Sequence, residues 1–431
     1  MTQPSAGMPK IRWEWTWLFV LLAYPFLPFL QAIEGIPLGT PIVSILIFAI
    51  LALGLNVVVG YSGLLQLGIA AFFAIGAYIT GILTVPDYPF QAGFWIALPL
   101  SVIGAGVAGV ILGAPTLRLR GDYLAIVTLG FAEVIRYSLI NLDEITNSNR
   151  ALNPVPPPSL SWLSALPGGL IRVGLAAAAL AGLAAACLVL WKRMGEFRKH
   201  LDTVRSSPEI RGWLRFAHYY LGPAAVIGAV GWAFVAVITA ESVAIQPEWG
   251  SDYRWFYYLI FAILAALVVV LRNLERSRLG RALMAIREDE LAASCMGVNP
   301  TRVKLVAFAL GAAIAGLAGS LYATFQQSTA SPNNYDFAVS IMALCFLIVG
   351  GLGNCYGAIL GAFIILGVDR IFSPWMDKQV QKVLSDSQSV FLSFSNWRWM
   401  IFGAILVLMM RFRPEGALPA RPAEPGEGKR A

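Results

Sequence analysis

The sequence has few charged residues, few cysteines and almost no histidine. Only 13% of its 431 residues are Asp, Glu, Lys or Arg, about half the share found in soluble domains. The four cysteines have no paired spacing, which argues against a disulfide framework or a zinc site. The two histidines, His200 and His218, have no third ligand at metal spacing. We therefore predict that the protein has no metal site.

Short motifs for catalysis are missing as well. The chain has no GxxxxGK[ST] phosphate loop, no HExxH zinc motif and no GxSxG nucleophile elbow. We therefore predict that the protein is not an enzyme, has no catalytic residue and binds no cofactor. If ATP drives its function, a separate chain must bind and hydrolyse the nucleotide.

Long apolar runs are what the sequence has in quantity, with 58% hydrophobic residues. Several runs reach the roughly 20 residues that cross a bilayer core. We predict an all-α, polytopic integral membrane protein with about 12 transmembrane helices, ten in a core and two in an inserted hairpin. The spans are expected near 13–33, 41–60, 64–85, 93–114, 122–142, 168–191, 221–241, 255–272, 303–325, 338–351, 356–373 and 398–411.

The distribution of basic residues gives an orientation. With the N-terminus in the cytoplasm, most of the 31 Lys and Arg residues fall in inside segments, as the positive-inside rule requires. Both termini are then cytoplasmic. The net charge of +7 therefore indicates contact with membrane lipid at the ends of the spans, and not binding to nucleic acid.

Changes in composition divide the chain into four parts. A proline-rich stretch, NPVPPPSLSWLSALPGG, cannot form regular structure and precedes two extra spans around a basic cytoplasmic loop. The inserted hairpin is expected to run from about 168 to 241. Because its two spans cross the membrane and return, it leaves the downstream topology unchanged. We predict an N-terminal transmembrane half (1–142), a loop with an inserted hairpin (143–254), a C-terminal transmembrane half (255–412) and a disordered tail (413–431).

The most charged and helix-prone stretch is LGRALMAIREDELAASCMG, which ends at Gly297. It predicts a short amphipathic helix within 280–300, followed by Asn299 as the cap of the next helix and Pro300 in its first turn. One interpretation is a lever that a cytoplasmic partner pushes. The other is a simple link between two spans on the positive side, since charged loops are often only solvated surface.

Two glycine clusters interrupt the apolar runs, one at Gly60–Gly63 and one at Gly350–Asn354. Their flanking sequences are alike, which indicates either an internal repeat with broken helices, as in transporters, or two ordinary helical hairpins. A broken helix can direct backbone N–H groups at a carboxylate, whereas small residues can also simply allow close helix packing. The pathway candidates near the two clusters are Asn56, Gly60, Ser62, Gly63, Gln66, Gly353 and Asn354.

Glu133 and Arg136 are opposite charges within one predicted span. At i and i+3 they share a helix face and can neutralise each other. A charge inside a membrane is costly, so it is retained as a structural ion pair or as a contact in the solute pathway. Both interpretations remain open for this pair.

Five stretches occur in an order that resembles a known family. They are GLNVVVGYSGLLQLGIAAFFAIGAY, GDYLAIVTLGFAEVIRY, SRLGRALMAIREDELAASCMGVNPTRVKLVAFALGAAIAGLAGSLYA, IVGGLGNCYGAILGA and FRPEGAL. Together they resemble the M-type permease subunit of branched-chain amino acid ABC importers, over roughly 35–150 and 255–420. The resemblance implies a bacterial inner-membrane protein that pairs with a sister permease, two cytoplasmic ATPase subunits and a periplasmic solute-binding protein.

The resemblance also implies where the ATPases make contact. The family's Glu-Ala-Ala-x-x-x-Gly pattern is met at Ala292, Ala293 and Gly297, but Leu291 stands at the Glu position. Two further departures are Ile69, where relatives often have histidine, and TNSNRAL in place of a glycine-rich loop. The residues expected to couple to the ATPases are Arg287, Glu288, Asp289, Glu290, Ala292, Ala293 and Gly297.

Two alternatives stay open from the sequence. Related importers of this family carry urea or short amides, so the same architecture could serve a different solute. A self-contained secondary carrier would need no ATPase at all.

Overall fold

The computed structural model describes residues 32–33, 36–116, 122–158, 253–383, 394–413 and 416–418. Outside the described residues lie the predicted spans 168–191 and 221–241, nearly all of the predicted span 13–33, and most of the tail that is predicted to be disordered (413–431). The inserted hairpin and the division into four parts therefore stay predictions.

The described chain is helical, apart from one antiparallel pair of two-residue strands, Ala32–Ile33 (β1) and Ile36–Pro37 (β2). Two α-helices each continue into a π-helical turn. The turn Asn56–Tyr61 follows the helix Gly39–Leu55, and the turn Val368–Phe372 follows the helix Cys355–Gly367. The α-helices are Gly39–Leu55 (α1), Ile69–Thr84 (α2), Phe94–Thr116 (α3), Asp122–Asn141 (α4), Asp143–Thr146 (α5), Tyr253–Arg276 (α6), Arg278–Glu288 (α7), Glu290–Cys295 (α8), Pro300–Gln326 (α9), Phe337–Gly350 (α10), Cys355–Gly367 (α11), Ser373–Val383 (α12) and Phe394–Phe412 (α13).

Seven helical segments in the described part of the chain are long and apolar enough to cross a membrane. Two shorter apolar helices, Ile69–Thr84 and Met400–Phe412, accompany them. Every predicted span that falls wholly within the described residues overlaps one of these segments, although the predicted span 64–85 is helical only from Ile69. The all-α, membrane-spanning fold is therefore confirmed, while the full number of spans stays a prediction.

Helix α9 lies at the centre of the bundle and packs against α1, α2 and α3. Small residues make this possible: a Cβ on Gly54 of α1 would lie 2.9 Å from the carbonyl oxygen of Gly311, and one on Gly319 would overlap that of Phe73. Lipid provides no hydrophobic driving force between helices, so close backbone contact of this kind is a main source of helix association. Helix α1 is buried on all sides, as its uniformly apolar sequence requires.

The loops meet in two groups. At one end, which we call the glycine end, the clusters Gly60–Gly63 and Gly350–Asn354 lie against each other, since the N–H of Gly353 donates to Oδ1 of Asn56 over 3.0 Å. At the other end, the loop end, residues 85–93, 142–155 and 327–336 are joined by hydrogen bonds. Among the described residues, the predicted inside stretch 272–304 thus contacts the glycine end, and loops predicted to lie outside meet at the loop end.

Candidate coupling site and solute pathway

The stretch from 278 to 299 forms two helices in place of the single predicted helix. The backbone at Asp289 is extended and separates α7 from α8. Its carboxylate accepts the N–H of Leu291 at 2.8 Å and that of Ala292 at 3.0 Å, so Asp289 is the N-cap of α8. The sequence does not indicate this break, because residues 281–296 contain neither glycine nor proline and are typical of a single helix.

Gly297 ends α8 in a Schellman motif. The N–H of Val298 donates to the carbonyl of Ala293, and the N–H of Gly297 donates to that of Ser294. Gly297 has φ of +85°, a value that side chains disfavour, although a Cβ there would meet nothing within 4 Å. The prediction that a glycine ends the helix is confirmed. Glycine is favoured there by the positive φ, and not by a lack of room for a side chain. Asn299 then caps α9 through the N–H of Arg302, with Pro300 in the first turn, as predicted.

Arg287 joins the coupling segment to the glycine end. Its Nη1 donates to the carbonyl oxygen of Gly60 over 2.6 Å. A cation here is favourable because the last carbonyls of a helix carry partial negative charge. Gly63, with φ of +70°, lies under the same side chain, and a Cβ there would come to 3.0 Å from Cγ of Arg287.

Glu290 joins the coupling segment to the central helix. Its Oε1 lies 2.7 Å from Nζ of Lys304 in α9. Lys304 is only 5% exposed, so it requires a counter-ion. We did not identify Lys304 from the sequence, since fourteen residues separate it from Glu290 and no local spacing rule relates them.

The remaining surface of α8 is exposed and partly apolar. Leu291 is 67% exposed and Met296 85% exposed. Ala292, Glu288 and Asp289 are exposed as well, whereas Ala293 is buried. The predicted coupling residues therefore fall into two groups. Arg287, Glu290 and Ala293 face the bundle, and the others face outward or end the helices.

The glycine end holds its two turns together with side-chain hydrogen bonds. Asn56 lies in the π-turn and accepts the N–H of Gly353, and a Cβ on Gly60 would lie 2.8 Å from that same nitrogen. Ser62 donates to the carbonyl of Val58. Four predicted pathway residues, Asn56, Gly60, Ser62 and Gly353, thus lie in one closed, fully buried cluster.

Asn354 connects this cluster to the C-terminal part of the chain. Its Oδ1 accepts the N–H of Tyr356, so Asn354 is the N-cap of α11. Its Nδ2 donates to the carbonyl of Leu418. The N–H of Leu418 in turn donates to the carbonyl of Gly350. Asn354 therefore has a structural role at the surface of the glycine end.

Gln66 lies in the non-helical segment between the π-turn and α2. It is fully buried, and neither atom of its carboxamide has a partner among the described residues. Thr128 of α4 and Ser340 of α10 flank this segment, because their hydroxyl oxygens accept the N–H groups of Leu67 and Ala70. The sequence indicated Gln66 as a candidate but neither hydroxyl residue.

Glu133 and Arg136 form the predicted ion pair, with Nε of Arg136 2.8 Å from Oε2 of Glu133. The pair lies in the second half of α4, towards the loop end, and away from the glycine clusters. Nη1 of Arg136 also donates to Asn333 in the loop before α10. The structure therefore separates these two residues from the other pathway candidates.

One buried acid, Asp369, is not among the candidates that the sequence indicated. Asp369 lies in the second π-turn, is 9% exposed and contacts Arg370 at 3.3 Å. The signal was available, since a carboxylate late in an apolar run is unusual.

Comparison with known proteins identifies the family. The chain matches the family described as the permease component of branched-chain amino acid transport systems, over residues 39–193 and 159–410. It is 34% identical to the high-affinity branched-chain amino acid transport system permease protein LivM of Salmonella typhimurium, covering 91% of this chain and 72% of that protein. The LivM protein of Escherichia coli is also 34% identical, covering 93% of this chain and 73% of that protein.

A second permease of the same kind of system also matches. The Salmonella typhimurium protein named LivH is 32% identical over 130 residues, which is 30% of this chain and 40% of that protein. No solved structure matches the chain significantly. With its apolar helices and these relatives, the protein is a multi-pass protein of the bacterial inner membrane. The chain belongs to the permease-component family of branched-chain amino acid transport systems.

Proposed function

We propose that this chain is the membrane-spanning permease subunit of an ATP-driven importer of branched-chain amino acids. The observation that carries the proposal is the 34% identity to the LivM permeases over more than nine-tenths of the chain. The subunit pairs with a sister permease, since LivM and LivH are both named as permease proteins of such systems. Two cytoplasmic ATPase subunits bind and hydrolyse ATP, and a periplasmic solute-binding protein delivers the amino acid.

In this proposal the glycine end faces the cytoplasm and both chain termini lie there. The basic residues support this orientation, because Arg276, Arg278, Arg281 and Arg287 all belong to the segment that contacts the glycine end. Positive charge concentrates on the cytoplasmic side of inner-membrane proteins. About twelve spans, with a hairpin inserted between the two halves, agree with the same orientation.

Helix α8 receives the force. Leu291 and Met296 lie on the aqueous side of the bundle, outside the predicted spans, and expose apolar side chains that a protein partner would cover. We assign this surface to the ATPase subunits. When ATP binding closes the ATPases, α8 moves with them, and the spans change between outward and inward access as rigid groups.

Two contacts pass the motion on. The ion pair between Glu290 and Lys304 connects α8 to α9, the central helix. The hydrogen bond from Arg287 to Gly60 connects α7 to the π-turn that follows α1. A displacement of the coupling segment therefore acts on the turn that, together with Gly353, closes the glycine end.

The experiment is uptake of radiolabelled leucine into proteoliposomes that contain the complete complex. The proposal predicts uptake that requires both ATP and the solute-binding protein, and that excess isoleucine or valine inhibits. Uptake of urea or acetamide in preference to leucine would contradict the assigned substrate. Uptake without ATPase subunits would contradict the assigned energy source.

A further inference from the structure

Helix α2 begins inside the bundle and not at its end. The N–H of Ala70, in the first turn of α2, donates to Oγ of Ser340 over 3.2 Å. Ser340 precedes Gly350, at the glycine end, by ten residues of α10, which corresponds to about 15 Å along the helix axis. This is about half the thickness of the bilayer core. The segment 62–68 therefore rises from the glycine end to the middle of the bundle before α2 starts.

The buried side chain of Gln66 lies two residues before the cap of this helix, Gly68. Among the described residues, neither Nε2 nor Oε1 of Gln66 has a hydrogen-bond partner. Nδ2 of Asn56, in the π-turn that precedes the segment, is likewise buried and unpaired in the part of the chain that the structure describes. Unpaired buried amides are costly and rare in folded proteins, and π-turns occur often at functional sites.

The chemistry of the two features is complementary to an amino acid. The start of a 16-residue helix carries partial positive charge, which favours a carboxylate. The carboxamide of Gln66 adds two N–H donors for the same carboxylate and one oxygen that can accept from an ammonium group. One side chain thus offers a hydrogen-bond partner to each of the two charged groups of a zwitterion. Thr128 and Ser340 position the segment, since they hold Leu67 and Ala70 in place.

We propose that Gln66 and the first turn of α2 form the site at which the permease binds the carboxylate and ammonium groups of its amino acid substrate. The proposal rests on the proposed function and adds the site and its chemistry. In this structure Gln66 is completely covered, so the site is closed. The substrate reaches it when the spans separate during transport.

The test uses the complete complex in proteoliposomes with four variants. Gln66→Leu removes all hydrogen bonding at similar size, Gln66→Glu places a negative charge against the substrate carboxylate, and Gln66→Asn keeps the amide. Gln326→Leu makes the same chemical change at an exposed position on α9 and serves as the matched control. Leucine uptake is measured together with the thermal midpoint of the detergent-purified complex.

The proposal predicts that Gln66→Leu and Gln66→Glu lower the maximal uptake rate at least ten-fold, and that Gln66→Asn retains more activity than either. The half-saturating leucine concentration changes less than two-fold, because the solute-binding protein captures the substrate. Gln66→Leu leaves the thermal midpoint unchanged or raises it, since an unpaired buried amide is removed. Gln326→Leu transports like the wild type.

Two results would overturn the proposal. Uptake by Gln66→Leu within two-fold of the wild type would show that the amide is not needed. A loss of uptake together with a lower thermal midpoint would assign Gln66 to folding. Failure of the proposed function would look different, because the wild-type complex itself would then show no ATP-dependent leucine uptake.

Discussion

Nη1 of Arg287 lies 2.6 Å from the carbonyl oxygen of Gly60, a residue 227 positions earlier in the chain. This contact brings the coupling segment to the π-turn that follows α1. Beneath the arginine, Gly60 lies against Gly353 and Asn56. One hydrogen bond therefore joins the segment assigned to the ATPases with the cluster that closes the bundle.

Replacing Arg287 should separate ATP hydrolysis from transport. A charge-assisted hydrogen bond contributes roughly 1.5–3 kcal/mol, so Arg287→Ala should lower leucine uptake by about ten-fold or more while the purified complex still hydrolyses ATP. Arg281→Ala is the control, because Arg281 lies in the same helix and, within the described part of the chain, its side chain donates to the nearby carbonyl of Arg276 and not to the glycine end. Equal losses of uptake in both variants would contradict a specific role for the Gly60 contact.

The ion pair between Glu290 and Lys304 should show energetic coupling. Glu290→Gln leaves the buried Lys304 ammonium without its counter-ion, and Lys304→Met leaves Glu290 free, so each should destabilise the subunit by about 1–3 kcal/mol. The double variant should be more stable than the sum of the single losses by at least about 0.5 kcal/mol. Thermal unfolding of the four proteins measures the cycle. Strict additivity would mean that the pair does not hold α8 to α9.

Substitutions of Gly297 test whether backbone conformation or side-chain size decides function at the end of α8. Because φ is +85° and a Cβ would contact nothing, Gly297→Asn should retain most uptake, since asparagine tolerates this region. Gly297→Ala, although smaller, should do worse, and Gly297→Val should lose uptake most strongly, at a cost of about 1–3 kcal/mol. The reverse order of Asn and Ala would show that bulk at the surface of α8 decides the outcome.

Ala151 is held in a conformation that favours glycine. It has φ of +61° and ψ of 166° and is buried at the loop end. Such strain costs roughly 1–3 kcal/mol in non-glycine residues, so Ala151→Gly should stabilise the subunit by about 1 kcal/mol. Ala404→Gly, on an exposed face of α13, should destabilise it by about the same amount, because glycine is a poor helix former. Thermal unfolding distinguishes the two signs, and destabilisation by both would remove the argument for strain.

Local patterns in the sequence predicted the spans well. Apolar runs fix where a helix can cross lipid, and Asn299 with Pro300 marked the start of α9, since both signals act within a few residues. The i, i+3 spacing likewise predicted the pair of Glu133 and Arg136. Each of these features depends on the chain's own neighbours and on nothing distant.

Contacts between distant residues could not be predicted. The partners Arg287 and Gly60, or Glu290 and Lys304, meet only because whole helices pack in one arrangement. The break at Asp289 was hidden, because aspartate fits both an exposed helix and a cap. The unpaired state of Gln66 becomes visible only when every neighbour is known, since a glutamine among apolar residues can equally be satisfied by its surroundings.

In the proposed mechanism α8 lies in the cytoplasm, where the ATPase subunits push it. Cys295 is exposed on α8 and offers a native label. A membrane-impermeant maleimide, applied to wild type and to Cys295→Ser, reports this one position by difference. We expect labelling of Cys295 in inverted membrane vesicles, protection by bound ATPase subunits and no labelling in intact spheroplasts. Labelling of Cys295 from the outside of spheroplasts would contradict it.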